Sequence, residues 1–409
     1  MKNALWEYIF MNQLIITHFK DKLISCFLED TELVQINCED SNAKNILGNI
    51  YVGKIKNIVK NINAAFVEIE NQTMCYLPLE KNPTAVFTKP KKNNKWNIGD
   101  ELLVQITKES IKTKAPMASS CLNFTGKYVV LTHGKTGIGI SGKIKDKEKR
   151  EHLQKVMKPY GTKEYGFIVR TNSISASEEE IIEETLYLIN RYEILKTTGI
   201  HKNCFSLVEK APSGYLCDIR DGYSQNIDQI VTDDATLYQE MKSYLELNQK
   251  KDLEKLRLYT DTTISLNHLY SIETKITKAL QEKVWLKSGG YLVIQPTEAL
   301  TSIDVNTGKA IAGKRRAEET FFKINLEAAE EIAKQIRLRN LSGILIIDFI
   351  DMASRENQIR LIEYLKTKIA KDPIPTQFID LTALHLVELT RKKQRKPLHE
   401  QLRDSKQQT

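Results

Sequence analysis

Residues 344–348 read Ile-Leu-Ile-Ile-Asp, and no other stretch narrows the possible folds as much. Four successive apolar residues, three of them β-branched, read as a strand buried between layers. Ahead of it, EETFFKINLEAAEEIAKQIRLRN repeats apolar residues at helical spacing, and ENQIRLIEYLKTKIAKD behind it does the same. Further upstream, GGYLVIQ and LTSIDVN read as adjacent strands. The order strand, helix, strand, helix specifies an α/β layer structure for the last third of the chain. Both aspartate-bearing strands carry the acid at the C-terminal end, where sheets of this kind place ligands.

That position makes the acids chemically interesting. Asp304 and Asn306 are two residues apart and share one face of an extended backbone. Asp348 ends a strand so apolar that its carboxylate, if buried unpaired, costs several kcal/mol, so it needs a cation, donors or solvent. Two aspartates meeting on neighbouring strand ends would make a hard-oxygen site for Mg²⁺, beside which a phosphodiester could be polarised. The plainer alternative is that each aspartate caps the turn after its strand. Asp351 reads as a turn cap.

The chain has 409 residues, enough for roughly two to four domains. Hydrophobic residues make up 41% and charged residues 27%, which excludes wholesale disorder. Sixty Lys and Arg against fifty-two Asp and Glu leave +8, a balance compatible with a polyanionic partner. No apolar run approaches the ~18 residues of a membrane span, and Glu7 and Asn12 break up the N-terminal apolar stretch, so no membrane span or signal peptide is expected. The expected compartment is the cytoplasm. Six dispersed cysteines without a C-x-x-C pair, and seven histidines without close ligand spacing, argue against disulfides and structural zinc. No Gly-rich phosphate loop, nucleophile elbow or H-E-x-x-H is present, which speaks against nucleotide-driven and serine-hydrolase chemistry.

Between about residues 47 and 122, the runs GNIYVGKIKNIV, AAFVEIE, MCYLPL and ELLVQITKE are short, rich in β-branched or aromatic residues and separated by turn residues. This is the pattern of a small barrel. Its loop Asn82 to Asn97 is rich in proline and lysine. Phe66 and Tyr76 fall on successive strands, where exposed rings could stack bases, and Lys54, Lys56, Lys108, Lys112 and Lys114 could attract phosphates. Ordinary core aromatics beside a solvated lysine face fit the same residues. Downstream, strand-like runs alternate with KIKDKEKREHLQKVM and with a helix that starts at SASEEE with Ser and Glu capping residues. Arg170 and Thr171 close one of these strands and could offer a guanidinium and a hydroxyl to a phosphate. Residues 215–281 read as scaffold. The cluster Arg391, Lys392, Lys393, Arg395 and Lys396 reads equally as a solvated end or an RNA contact, and His385 reads as a core histidine.

Taken together, EALTSIDVNTG, EETFFKINLEAAEEIAKQIRLRNLSGILIIDFIDM and GNIYVGKI with AAFVEIE and YLPL closely resemble the ribonuclease E/G family, over about residues 11 to 400. The resemblance implies an α/β multidomain fold. It places an S1-type OB barrel (47–122) inside an RNase H-like subdomain split between 1–46 and 215–281. A 5′-sensor subdomain (123–214), a DNase I-like catalytic subdomain (282–400) and a tail (401–409) complete the layout. The implied activity is Mg²⁺-dependent hydrolysis of single-stranded RNA to 5′-phosphate and 3′-hydroxyl ends, in RNA processing and decay. By motif, Asp304 and Asp348 match the Mg²⁺ ligands and Asn306 the residue that supports the attacked phosphate or its water. Phe66, Tyr76, Lys108 and Lys114 match RNA-contacting barrel positions, with Tyr76 where phenylalanine is more familiar. Arg170 and Thr171 match the core of the 5′-phosphate sensor.

There are departures. One sensor arginine is replaced by Gly142 or Lys143 in GISGKI, leaving Arg170, Thr171 and Lys143, and a further one aligns near Pro375. The C-P-x-C zinc-link is absent, so a zinc-bridged tetramer is not expected and a homodimer is the implied assembly. The short, ribonuclease G-like form fits best, with residues 1–10 as an extension before Met11. A catalytically inactive RNA-binding protein of the same fold, and a DNA nuclease, are the competing readings.

Overall fold

A computed structural model describes residues 11–40, 45–81, 84–91, 95–110, 114–222, 227–308 and 317–403. The chain divides into two compact units, one made of residues 1–42, 222–245 and 251–409, the other of residues 43–221 and 246–250. Among the described residues the fold is mixed α/β with four sheets, one of them closed into a barrel. No described helix is long and apolar enough to cross a membrane.

In the second unit, Ile50–Val59, Ala64–Glu68, Met74–Pro78, Met117–Ser119 and Glu101–Lys108 pair in that order, and the last returns to the first. Five strands thus close without an open edge. Alternation fills the barrel with Ile55, Ala65, Val67, Cys75, Leu77, Leu102, Val104 and Ile106. Gly53 is required by this closure: a Cβ there would lie 2.5 Å from Val67 Cγ1 and 3.0 Å from Val104 Cγ2. Lys112 lies outside the described residues.

The same unit holds a four-stranded sheet, Ile138–Ile140, Tyr165–Val169, Val129–His133 and Asn123–Thr125. Helices Lys147–Met157 and Glu178–Gly199 share its core through Leu153, Met157, Ile181, Leu188 and Tyr192. The longer helix starts as its sequence dictates: Ser177 Oγ accepts from the Glu180 N–H, and the Glu180 carboxylate accepts from the Ser177 N–H.

In the first unit, Gln13–Phe19, Lys22–Glu29 and Glu32–Asp40 form a meander. The first of these strands is joined in parallel by Gln229–Thr232, which pairs in turn with Leu256–Leu258. The unit's second sheet runs Lys283–Trp285, Tyr291–Pro296, Leu300–Asn306, Gly343–Asp348, Val387–Arg391, Thr376–Leu381. Its two aspartate strands are parallel, connected through helix Ala317–Leu338, which packs with Arg355–Ile369 over one face. Leu292, Ile294, Ile303, Val305, Leu345 and Ile347 point into that core. The strand expected to be buried on both faces is buried on one: Ile344 is 49% exposed, because both helices lie over the same side.

Arg391 is not a solvated tail cation. It is buried, with Nε 2.7 Å from Asp372 Oδ2, and Nη1 donates to Asn340 Oδ1 and the Leu341 carbonyl. His385 departs from its expected core position, because it sits exposed in the turn between the last two strands of the sheet at φ +62°.

Candidate active site

The parallel pairing of Leu300–Asn306 with Gly343–Asp348 runs residue by residue from Leu300 opposite Ile344 to Asp304 opposite Asp348. Partners in register share a face, so both carboxylates project to the same side from strands ~4.8 Å apart. That side is opposite the apolar residues that hold the helices. The sequence builds this locally: Ile303 and Val305 go into the core, and Asp304, between them, cannot. Asn306 stands on the same face, and its Nδ2 donates to Asp304 Oδ2 at 2.6 Å, fixing one carboxylate oxygen. Burial, and then the charges of Asp304 and Asp351, hold the Asp348 carboxyl above the ordinary carboxylate value. Asp351 is exposed, 3.8 Å from His385 Nδ1.

Among the described residues no group of three or more His, Cys, Asp or Glu gathers in a metal-holding arrangement. The donor set is two carboxylates. A hard cation that completes its shell with water and phosphate oxygens needs no more, and its charge would relieve the repulsion felt at Asp348.

The barrel also presents an organised row. Phe66 pairs with Tyr76, Tyr76 with Met117 and Met117 with Lys108, so Phe66, Tyr76 and Lys108 share one outward face. The two rings meet edge to face with centroids 6.0 Å apart, and neither lies in the barrel core. Lys108 and Lys114 are exposed. Lys54 and Lys56 are committed to ion pairs with Glu101 and Glu68.

Arg170 and Thr171 follow the Tyr165–Val169 strand. Thr171 Oγ1 lies 3.0 Å from Ser141 Oγ, which also accepts from the Lys143 N–H, so the hydroxyl of Thr171 and the turn carrying Lys143 are tied together. Arg170 is engaged by its own unit: Nη1 donates to the Gly126 carbonyl at 2.6 Å, and Nη2 lies 2.9 Å from Asp221 Oδ1. Burial pushes the Asp221 carboxyl up, but the hydrogen bond and charge of Arg220, with Arg170, outweigh it and leave Asp221 below its ordinary value. Asp221 has no signal in the sequence, being 51 residues from Arg170 in a helix of unremarkable pattern. Arg150, also unanticipated, donates to the carbonyls of Ser141 and Ile144. Pro375 lies in the other unit, as do Asp304, Asn306 and Asp348.

A family model for the ribonuclease E/G family matches residues 123–394. This chain belongs to the ribonuclease E/G family. It is 30% identical to ribonuclease G of Escherichia coli K12 over 383 residues, covering 91% of this chain and 78% of that one. Ribonuclease G of Haemophilus influenzae is 31% identical over 387 residues, covering 92% and 78%. Ribonuclease E of a Nostoc species is 34% identical over 373 residues, 88% of this chain and 53% of that protein. The family match includes both aspartate strands and Arg170, whereas the barrel strands precede it and are reached by the longer pairwise similarities.

Proposed function

We propose that this ribonuclease E/G family member is a Mg²⁺-dependent endoribonuclease that hydrolyses single-stranded RNA to 5′-phosphate and 3′-hydroxyl ends, acting in cytoplasmic RNA processing and decay. The observation that carries this reading is the matched register of Asp304 and Asp348 on adjacent parallel strands. In this reading the two carboxylates hold the ion. When bound, Mg²⁺ supplies positive charge against the phosphodiester and acidifies a water. Asn306 fixes the Asp304 carboxylate through its amide N–H, which leaves the amide oxygen to orient water or to face the sugar-phosphate.

Binding energy comes from elsewhere in the chain. Phe66 and Tyr76 stack bases, and Lys108 and Lys114 attract phosphates, which supplies affinity for the RNA strand. The barrel is read as S1-type OB, the four-stranded sheet as the 5′-sensor subdomain, the meander sheet as RNase H-like and the aspartate sheet as DNase I-like. A homodimer is the proposed assembly. In the sensor, Arg170, Thr171 and Lys143 are the groups proposed to meet a 5′-phosphate, with the Arg170 guanidinium also held by the Gly126 carbonyl and Asp221.

The test is incubation of a 5′-labelled, A/U-rich single strand with the protein, with and without Mg²⁺, beside the same sequence in deoxyribose. Internal cleavage of RNA alone, and only with the ion, is expected. Binding without cleavage would establish the inactive RNA-binding alternative, and equal cutting of the deoxyribose strand would establish a DNA nuclease.

A further inference from the structure

Trp285 is the only exposed aromatic side chain among the described residues, at 64%. An indole held only for packing buries its ring, and large aromatic faces left in water mark binding surfaces. Its position is set by register. Trp285 pairs with Tyr291, and Tyr291 pairs with Asn306, so all three share the face that carries Asp304 and Asp348. The Trp285 and Tyr291 rings lie 5.3 Å apart with a 59° tilt. Lys283, two residues before Trp285 and on the same face, holds its ammonium 3.5 Å from the Tyr291 centroid and 4.2 Å from that of Trp285. Lys283 forms no ion pair among the described residues, whereas Lys54, Lys56, Lys196 and Lys368 do.

An exposed indole beside a cation that forms no ion pair among the described residues is what a single nucleic-acid strand needs: a π-surface for a base and a positive charge for the adjoining phosphate. The occupant is fixed by continuity with the aspartates, since the stack stands two strands from Asp304, about 10 Å away at sheet spacing. Resting on the endoribonuclease reading above, we propose that Trp285, Tyr291 and Lys283 form a nucleotide-positioning platform on the catalytic sheet, where a base close to the cleaved bond stacks on the indole and its phosphate meets Lys283. These are positioning residues. Their role is to hold the strand in line across the carboxylate pair.

The experiment uses the full chain and an A/U-rich RNA decamer in the presence of a chelator, so that binding is read without turnover. Tryptophan emission should be quenched as the decamer is added, and the quench should vanish in Trp285→Phe. Trp285→Ala should weaken binding about tenfold, Trp285→Phe should retain most of the affinity, and Lys283→Ala should lower the salt slope of binding by about one. With Mg²⁺ added, Trp285→Ala should raise KM and largely spare kcat. Equal affinity of native and Trp285→Ala chains, or a Trp285→Ala effect confined to sedimentation mass, would overturn the proposal, the latter by making this face a subunit contact. Because quenching is read without cleavage, a native chain that binds and quenches but never cuts would defeat the nuclease reading alone. One that cuts normally without quenching would defeat the platform alone.

Discussion

Arg391→Met removes a charge that the basic run after residue 390 disguises as a surface feature. In the fold its side chain is 3% exposed and that of Asp372 is 2%. The guanidinium gives Nε and Nη2 to the two oxygens of Asp372, at 2.7 and 3.3 Å, and Nη1 to Asn340 Oδ1 and the Leu341 carbonyl, at 2.8 and 2.9 Å. Methionine fills much of the volume but takes the guanidinium from the Asp372 carboxylate, which also accepts from the Ile374 N–H and the Thr376 hydroxyl. Breaking a buried pair by removing one partner costs about 3–5 kcal/mol, and the two stranded acceptors keep the loss toward the upper half of that range. At ~2–4 °C per kcal/mol for a unit of this size, the transition of the aspartate-bearing unit should fall by about 10 °C in differential scanning calorimetry. Adding Asp372→Asn should recover part of the loss, because the orphaned charge goes too. A fall of less than about 2 °C would refute the reasoning, since an exposed cation contributes ~0–1 kcal/mol.

Phe66→Ala and Tyr76→Ala should each weaken single-stranded RNA binding about tenfold in fluorescence anisotropy with little change in melting temperature, since both rings lie outside the barrel core; a loss of folding in place of affinity would assign them to packing. His133 is buried with Nδ1 2.9 Å from the Tyr192 hydroxyl and with Nε2 lacking a partner among the described residues. Burial, with Lys196 adding and Glu164 opposing, holds His133 below its ordinary value. The unfolded chain therefore takes the proton first, and the barrel-bearing unit should lose stability as pH falls below about 6.5 toward the folded value. Urea midpoints that do not move from pH 7.5 to 5.5, or that move equally in His133→Gln, would contradict this. Asp221→Asn should release Arg170 and raise the ratio of cleavage of 5′-monophosphate over 5′-hydroxyl RNA, a ratio near unity in the native chain; a strong native preference would show that the Asp221 pair does not occupy the guanidinium.

What the sequence made legible is what period and local chemistry encode. The run Ile344 to Ile347 and the apolar stripe of residues 317–338 specify a strand and a helix with a shared core, and the Ser177–Glu180 box states where a helix begins. Alternation in 50–59, 64–68 and 101–108 specifies a sheet that must close. Asp304 and Asp348 were legible as strand-end acids, although their matched register depends on a 22-residue helix delivering the second strand in parallel. What escaped depends on partners distant in sequence. Asp372 lies 19 residues from Arg391, so the charge run reads equally as a solvated end or an RNA contact. Trp285 gains meaning only once two antiparallel pairings set it beside Asn306. His385 reads as a core histidine because its neighbours are apolar, whereas the chain turns there with φ +62°.

The central claim is tested most directly by Asp304→Asn and Asp348→Asn in the full chain, each assayed for Mg²⁺-dependent cleavage of a labelled single-stranded RNA and, in parallel, for binding of the same RNA. The account predicts that either substitution abolishes cleavage while affinity stays close to that of the native chain. Substantial Mg²⁺-dependent turnover by either variant would contradict it.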